Sequence, residues 1–128
     1  MLTIKYQQEW ADDEAITFVK DILTVAAEGG INYWADFRTA RDPVDGYVAG
    51  LIDVTDVEEG KLLTDYLGFA KIWEVLGRIA WGDFDHHVGG ACMVWTRKDL
   101  MDKEVGYIDA ECADVIVQLA IFGELVYG

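Results

Sequence analysis

The sequence predicts a single-domain α+β fold over residues 1–128, in which a small, mainly antiparallel sheet is packed by two or three helices. Three observations indicate this class. Some short segments alternate apolar and polar residues with the period of a strand, and longer ones repeat apolar residues with the period of a helix. The chain also has a single proline and no repeat or low-complexity tract, and its 128 residues match one ordinary domain.

A strand and a helix are predicted first. Residues 2–6 alternate between apolar and polar side chains, which is typical of a short strand. Asp12, Asp13 and Glu14 are acidic residues where the helix dipole favours negative charge, so they predict a helix start. An apolar stripe follows, and two glycines favour a left-handed stop. The stripe is Ile16, Val19, Ile22, Leu23, Ala26 and Ala27, and the stop is Gly29 and Gly30.

Two strands joined by a turn are predicted next. The segment 31–38 alternates and predicts a strand that carries Trp34 on its more polar face. Pro43 and Gly46 favour a turn, because proline presets φ and glycine tolerates positive φ. The mostly apolar segment 47–54 predicts the second strand of an antiparallel hairpin.

A long helix is predicted in the centre of the chain, before a loop over residues 82–90. Thr55 or Asp56 can cap this helix, and Glu58 and Glu59 fall in its first turn. Internal glycines weaken the pattern or divide it into two helices. The apolar stripe is Leu62, Leu63, Tyr66, Leu67, Ala70, Trp73, Leu76 and Ile79, and the glycines are Gly60, Gly68 and Gly77.

The last third of the chain predicts a capped helix. Residues 91–96 fit either a strand or the start of a short helix. Asp109 is a good N-cap for a helix over residues 110–122, and Gly123 ends that helix. Residues 125–127 are typical of a terminal strand.

The charge of the chain indicates the kind of partner. Acidic residues number 24 against 10 basic ones, which gives a net charge of −14. The acids are spread along the whole chain, so the excess is not a detachable tail. Such a surface repels nucleic acid and anionic membranes and attracts basic proteins. Alternatively, the negative charge only keeps an apolar-rich chain soluble.

The compartment is predicted to be the cytoplasm. The N-terminus lacks the basic and apolar regions of a signal peptide, and no apolar run approaches the roughly 18–20 residues that cross a bilayer. Cys92 and Cys112 can make at most one bridge. In a domain of this size they are most simply interpreted as reduced thiols.

The sequence does not predict an enzyme. It contains no serine, no phosphate-binding loop and no dinucleotide fingerprint, which excludes the chemistry those features support. Asp83, Asp85, His86 and His87 could ligate a divalent transition metal, but such a site needs a further ligand, and an exposed polar loop explains them more simply. We therefore expect no catalytic residue, no cofactor and no bound metal.

Nine residues are predicted to contact a partner. Eight are acids at helix starts and in loops, which would meet a basic surface. The ninth is a tryptophan beside polar groups, typical of an interface anchor, although a covering helix would make it part of the core. The nine are Asp12, Asp13, Glu14, Asp56, Glu58, Glu59, Asp83, Asp85 and Trp34.

Two segments carry a resemblance to known proteins. The segment 28–34 reads EGGINYW, and the segment 107–128 reads YIDAECADVIVQLAIFGELVYG. Both resemble a group of small, acidic, uncharacterised proteins encoded by bacteriophages and related mobile elements. The resemblance implies a phage origin and hence a binding protein in the host cytoplasm that inhibits a host defence protein handling nucleic acid. That inhibition would be anti-CRISPR or anti-restriction activity, in which carboxylates of this protein occupy the host protein's sites for nucleic-acid phosphates.

Two alternatives remain open at this point. One is a protein that binds a small molecule, for instance a signalling nucleotide. Tyr33 and Trp34 would stack on the base, and Arg38 and Arg41 are the nearby cations for the phosphates. The other is a virion or assembly component that forms a homodimer or larger homo-oligomer through its tryptophans.

Overall fold

The computed structural model of the protein describes residues 2–4, 8–31, 33–56, 61–85 and 90–127. These residues form an α+β fold, which confirms the predicted class. The described part of the chain contains a two-stranded and a three-stranded antiparallel sheet. It also contains four α-helices, where the sequence predicted two or three.

The N-terminal ribbon pairs strand β1 (Leu2–Ile4) with strand β2 (Gln8–Trp10). The strand predicted at the N-terminus is confirmed over β1, and its remainder lies outside the described residues. Trp10 is fully buried. Its ring packs edge-on against Phe18 and Trp73, with centroid distances of 5.3 Å and 5.2 Å, so it anchors the ribbon in the core.

Helix α1 (Asp12–Val25) begins where the acidic run predicts it. The Glu14 carboxylate accepts a hydrogen bond of 3.0 Å from the Ala11 N–H, which satisfies a donor that the helix start leaves open. The helix continues into a π-helical turn, Ala26–Gly30, where Gly29 is extended (φ 168°) instead of forming the predicted left-handed cap. The buried stripe of α1 is Ala15, Phe18, Val19, Ile22 and Leu23.

The three-stranded sheet consists of β3 (Ala35–Arg41), β4 (Val48–Asp56) and β5 (Lys61–Leu67), in that order. The predicted hairpin of β3 and β4 is confirmed, although β3 begins later than the alternation indicates. In the turn between them the Gly46 N–H donates to the Asp42 carbonyl oxygen at 2.8 Å, and Gly46 has the expected positive φ of 76°.

The prediction of one long helix in the centre of the chain is wrong for the first half of that segment and confirmed for the second half. The first half forms β5, which pairs antiparallel with β4, and helix α2 (Phe69–Ala80) follows. Asp56 therefore lies in a strand and caps no helix. The leucine and tyrosine spacing of β5 fits a helix, but β4 supplies backbone hydrogen-bond partners that no local pattern contains.

Helices α3 (Ala91–Asp102) and α4 (Ala110–Phe122) complete the fold. Of the two structures predicted for the start of α3, the helix is correct. Both predicted caps of α4 are confirmed. The Asp109 carboxylate accepts a hydrogen bond of 2.9 Å from the Cys112 N–H, and Gly123 adopts the left-handed conformation with φ 74°.

Helix α4 is central to the core, since it packs against α1, α2, α3 and the π-helical turn. Its buried apolar residues meet those of α1 and α2 in one hydrophobic cluster. In the part of the chain that the structure describes, no helix combines the length and the apolar character that crossing a membrane requires.

Candidate partner-binding groove

A buried carboxylate on α4 binds side chains from the turn before β3 and from its own helix. Asp114 is only 7% exposed. One of its oxygens, Oδ2, accepts a hydrogen bond of 2.6 Å from the Tyr33 hydroxyl. The other, Oδ1, accepts from Trp34 Nε1 at 2.8 Å and from Gln118 Nε2 at 3.0 Å. A buried carboxylate needs such partners, because without them its desolvation is costly.

The side chain of Gln118 fixes the C-terminal segment. Its Oε1 accepts hydrogen bonds from the backbone N–H groups of Val126 and Tyr127, at 2.9 Å and 2.8 Å. Its Nε2 donates to the Tyr127 carbonyl oxygen at 2.9 Å. The amide thus bonds Tyr127 as a neighbouring strand would. The terminal strand predicted at residues 125–127 is wrong, because its backbone pairs with a side chain and with no strand.

Trp34 lies in the turn before β3 and is 8% exposed, so the expectation of an exposed anchor on a strand face is corrected. Its ring stacks on Tyr127 with 4.7 Å between centroids, and it lies tilted against Phe122 at 5.8 Å. The alternative prediction, that Trp34 belongs to the core, is confirmed. The alternation from residue 31 wrongly predicts a strand there, because the backbone N–H of Trp34 donates to the Ile31 carbonyl oxygen at 3.0 Å and closes a turn.

This network joins the two segments that carry the resemblance. Tyr33 and Trp34 come from the segment 28–34, and their partners on α4 and in the C-terminal tail come from the segment 107–128. The π-helical turn, which overlaps the first segment at residues 28–30, also packs along α4. Folding therefore makes one structural unit of two stretches that are far apart in the sequence.

An open groove of about 700 Å³ lies beside the network, between the starts of α3 and α4, the turn before β3 and the C-terminal tail. Asp109, Glu111 and Asp114 contribute carboxylates to its lining. Among the described lining residues there is no lysine, arginine or histidine. The aromatic side chains of the lining are Tyr33, Trp95 and Tyr127. Carboxylates beside aromatic faces favour a cationic group and disfavour an anionic one.

The hydroxyl of Tyr33 stays protonated over a wide pH range. Partial burial of the hydroxyl, together with its hydrogen bond to Asp114 and the negative charge of that carboxylate, raises the pKa of Tyr33 to about 12. The residue as a whole is 61% exposed, and it lines the groove. Tyr33 therefore offers an aromatic surface at neutral pH, while its hydroxyl serves as a donor to Asp114.

Two thiols lie in the groove wall, Cys92 in the first turn of α3 and Cys112 in the first turn of α4. Both are free. Their side chains share a hydrogen bond, which lowers the pKa of Cys92 against the opposing effect of partial burial. The same hydrogen bond and burial raise the pKa of Cys112. The thiolate of the pair is therefore favoured on Cys92.

The predicted contact acids that the structure describes lie on separate elements and are not among the groove-lining residues. Asp12 and Asp13 are exposed in the first turn of α1. Glu14, in the same turn, forms an ion pair with Lys103 at 3.7 Å. Asp56 lies at the end of β4, while residues 58–59 are outside the described part of the chain.

The predicted metal-ligating cluster is only partly described. Asp83 and Asp85 lie in the turn after α2 and pair with Arg78 at 3.5 Å and Arg97 at 2.8 Å. The predicted histidines, residues 86–87, lie outside the described residues. Within the described ranges no group of three or more histidine, cysteine, aspartate or glutamate side chains could hold a metal ion.

The groove was not predicted as a site, although α4 carries a signal for two of the residues that line it. Asp114 and Gln118 are polar residues one helical turn apart in a helix that is otherwise mostly apolar. Polar residues on a buried helix face require partners, so they indicate a network. The sequence explains Asp109 by helix capping alone, and only the folded chain shows that Asp109 and Glu111 line a groove.

Comparison of the chain with protein-family models, with curated proteins and with solved structures finds no match.

Proposed function

We propose that this protein is a non-enzymatic, phage-type binding protein that holds a basic segment of a partner protein in the groove between α3 and α4. The partner class we propose is a host defence protein that handles nucleic acid, such as a CRISPR effector or a restriction enzyme. Such proteins carry clefts rich in lysine and arginine, which accept a dense anionic surface in place of DNA.

The observation that carries the proposal is the composition of the groove. Three carboxylates line it together with three aromatic side chains, and no described lining residue is basic. An arginine or lysine side chain entering the groove would gain charge-assisted hydrogen bonds and contact with aromatic faces. The Tyr33 hydroxyl already satisfies one oxygen of Asp114, which leaves Asp109 and Glu111, both exposed, as the principal contacts.

The overall charge supports the same partner. Even if each of the 10 basic residues neutralised one acid, 14 of the 24 acids would remain without such a pair. Long-range attraction by this excess accelerates association with a basic protein and weakens as salt increases. The acids predicted at the start of α1 would add to this attraction at a distance, whereas the groove would supply the specific contacts.

The test compares two double variants that remove the same charge. Asp109→Asn with Glu111→Gln neutralises the groove, and Asn keeps the helix cap. Asp36→Asn with Glu74→Gln neutralises two exposed acids that do not line the groove. Affinities are measured by calorimetry for an arginine-rich peptide and for purified CRISPR effectors and restriction endonucleases.

The groove variant is expected to bind about tenfold more weakly, a loss of roughly 1.4 kcal/mol, whereas the control loses much less. Binding of the unmodified protein should fall steeply between low and high salt. Equal losses in the two variants would place the contacts outside the groove. Affinity that does not depend on salt, or the absence of binding to every basic probe, would contradict the proposal.

A second candidate function, a homo-oligomeric assembly component, is favoured by one face of α3. Val94, Trp95 and Met101 are 59%, 37% and 76% exposed on this helix. Val94 and Met101, seven positions apart, share one side of the helix with Trp95 beside them, so they form an apolar patch around the exposed Lys98–Asp102 ion pair that a second copy could cover. The net charge opposes self-association. Light scattering tests this role. It is supported if the unmodified protein is a dimer and the double variant Val94→Glu with Met101→Glu is a monomer. A monomeric unmodified protein excludes it.

The signalling-nucleotide alternative gains no support from the groove. Phosphates would meet carboxylates there, and Trp34 is buried against Tyr127 instead of open for stacking. Arg41 is engaged in a hydrogen bond of 2.9 Å to the Gly46 carbonyl oxygen. A thermal-shift screen with nucleotides is therefore expected to leave the melting temperature unchanged.

A further inference from the structure

We propose that Cys92 and Cys112 form a redox-active dithiol, which a peroxide oxidises to an intramolecular disulfide in the wall of the groove. This inference goes beyond the proposed function, because the oxidation concerns the chain alone and requires no partner. The reduced thiols predicted from the sequence are then one of two states of the pair.

Two helix starts bring the thiols together. Cys92 is the second residue of α3, Cys112 is the third of α4, and the two helices pack against each other. Both side chains line the groove, and Cys92 Sγ lies 3.9 Å from the Cys112 carbonyl oxygen. A disulfide needs sulfur atoms about 2.05 Å apart and Cβ atoms roughly 3.5–4.5 Å apart. Because the Cys92 sulfur already contacts the backbone of Cys112, we infer that a small movement of the two side chains reaches this geometry.

The two thiols differ in access to solvent and in acidity. Cys112 is 1% exposed, whereas Cys92 is partly exposed at the groove. The hydrogen bond with Cys112 lowers the pKa of Cys92, and its place in the first turn of α3 adds the favourable end of a helix dipole. Negative charge on Asp109 and Asp114 opposes this effect. Cys92 is therefore the attacking thiolate and Cys112 the resolving thiol.

The first step joins the Cys92 sulfur to one peroxide oxygen. A sulfur–oxygen bond forms, the oxygen–oxygen bond breaks, and the leaving hydroxide takes a proton to become water. Cys92 is thereby oxidised to a sulfenic acid, and the peroxide is reduced.

The second step joins the two cysteines. The Cys112 thiol loses its proton as its sulfur attacks the Cys92 sulfur, a sulfur–sulfur bond forms, and the sulfur–oxygen bond breaks. The hydroxyl leaves with that proton as a second water. In total two thiols and one peroxide yield one disulfide and two waters, so atoms and electrons balance.

The disulfide would tie the start of α3 to the start of α4. Cys112 is separated by a single residue from Asp114, whose carboxylate holds Tyr33 and Trp34. Trp95, one turn after Cys92, lines the same groove. Oxidation would therefore alter the groove wall on both sides at once.

The experiment uses the reduced full-length protein and hydrogen peroxide. After oxidation, remaining thiols are alkylated with N-ethylmaleimide, and the intact mass is measured with and without dithiothreitol. We expect a product lighter by two hydrogen atoms that carries no alkyl group, and dithiothreitol should restore two alkylatable thiols. Peptide mapping should place the bridge between residues 92 and 112.

Single variants separate the roles of the two thiols. Cys112→Ser should accumulate a sulfenic acid on Cys92, which dimedone traps, without forming an internal bridge. Cys92→Ser should leave a buried Cys112 that reacts at least tenfold more slowly with peroxide. Circular dichroism checks that both variants are folded. If either variant is unfolded, the mass measurement on the unmodified protein tests the proposal alone.

Two results would overturn the inference. One is an unmodified protein in which both thiols remain alkylatable, or each carries its own oxygen adduct, after peroxide treatment. The other is a bridge that forms only when urea has unfolded the chain. Neither result depends on the binding of a basic partner, so failure here is distinct from failure of the proposed function.

Discussion

The indole Nε1 of Trp34 donates a hydrogen bond of 2.8 Å to the carboxylate of Asp114, although the two residues are 80 positions apart in the sequence. Both are buried, so neither group can exchange its partner for water. This pair closes the turn before β3 onto α4 and holds the Tyr33 ring at the edge of the groove.

The first prediction concerns this pair. Asp114→Ala leaves the indole N–H of Trp34 and one of the two amide N–H groups of Gln118 without their acceptor, and we expect it to lower the free energy of unfolding by about 3 kcal/mol. Trp34→Phe removes the indole donor, so the double variant should lose less than the sum of the two single variants. Urea denaturation of all four proteins completes the cycle, with an expected coupling above roughly 1 kcal/mol. Purely additive losses would contradict the direct interaction.

The second prediction concerns alkaline pH. The pKa of Tyr33 is raised from 10.0 to about 12 in the folded protein, so the folded state holds the phenolic proton more tightly than the unfolded chain. Its stabilising contribution is complete below pH 10.0 and is lost as the pH rises through about 12. A pH titration followed by tyrosinate absorbance should show one late-titrating phenol fewer in Tyr33→Phe than in the unmodified protein. The late-titrating phenol of Tyr66, whose pKa is also raised to about 12, should remain in both proteins. If the phenol that disappears titrates near pH 10, the hydrogen bond to Asp114 is not formed in solution.

The third prediction concerns the loop before α4. The buried carboxylate of Asp99 accepts hydrogen bonds from three consecutive backbone N–H groups, those of residues 106–108, at 2.8 to 3.1 Å. Asp99→Ala should cost about 3 kcal/mol and accelerate hydrogen exchange at these amides. Asp102→Ala is the control, because its ion pair with Lys98 is exposed and worth no more than about 1 kcal/mol. Unchanged exchange in Asp99→Ala would show that the loop is held by other contacts.

The fourth prediction compares two glycine substitutions. A Cβ at Gly50, in β4, would lie 2.5 Å from Cζ of the Phe37 ring, whereas a Cβ at Gly77, in α2, would meet nothing within 4 Å. Gly50→Ala should therefore destabilise the protein by about 1–3 kcal/mol. Gly77→Ala should stabilise it by up to about 1 kcal/mol, since alanine favours the helix.

Thermal and urea unfolding measure both effects. Phe37→Leu should partly restore the stability of Gly50→Ala, because the smaller side chain frees the space that the new methyl group needs. A Gly50→Ala protein as stable as the unmodified one would show that the ring can move aside without cost.

The local features of the fold were predictable because their causes are local. The acidic start of α1, the turn at Gly46 and both caps of α4 follow from interactions between residues only a few positions apart. Sequence patterns contain all the information for such interactions. The α+β class and the β3–β4 hairpin follow from them.

The groove was not predictable, because its walls come from segments that meet only after folding. Asp109 and Glu111 on α4, Trp95 on α3 and Tyr33 before β3 line one groove. Their juxtaposition depends on how α3 packs on α4, and no spacing in the sequence records it.

The amino-acid sequence alone accounts for the excess of carboxylates, for the helix boundaries where caps are present and for the polar pair on α4. Only long-range contacts make residues 61–67 a strand, bury Trp34 and bind the C-terminal tail to Gln118. All three have one cause. Backbone groups and buried amides need hydrogen-bond partners, and a buried ring needs packing partners. In these three cases the partner lies in a different element of the fold.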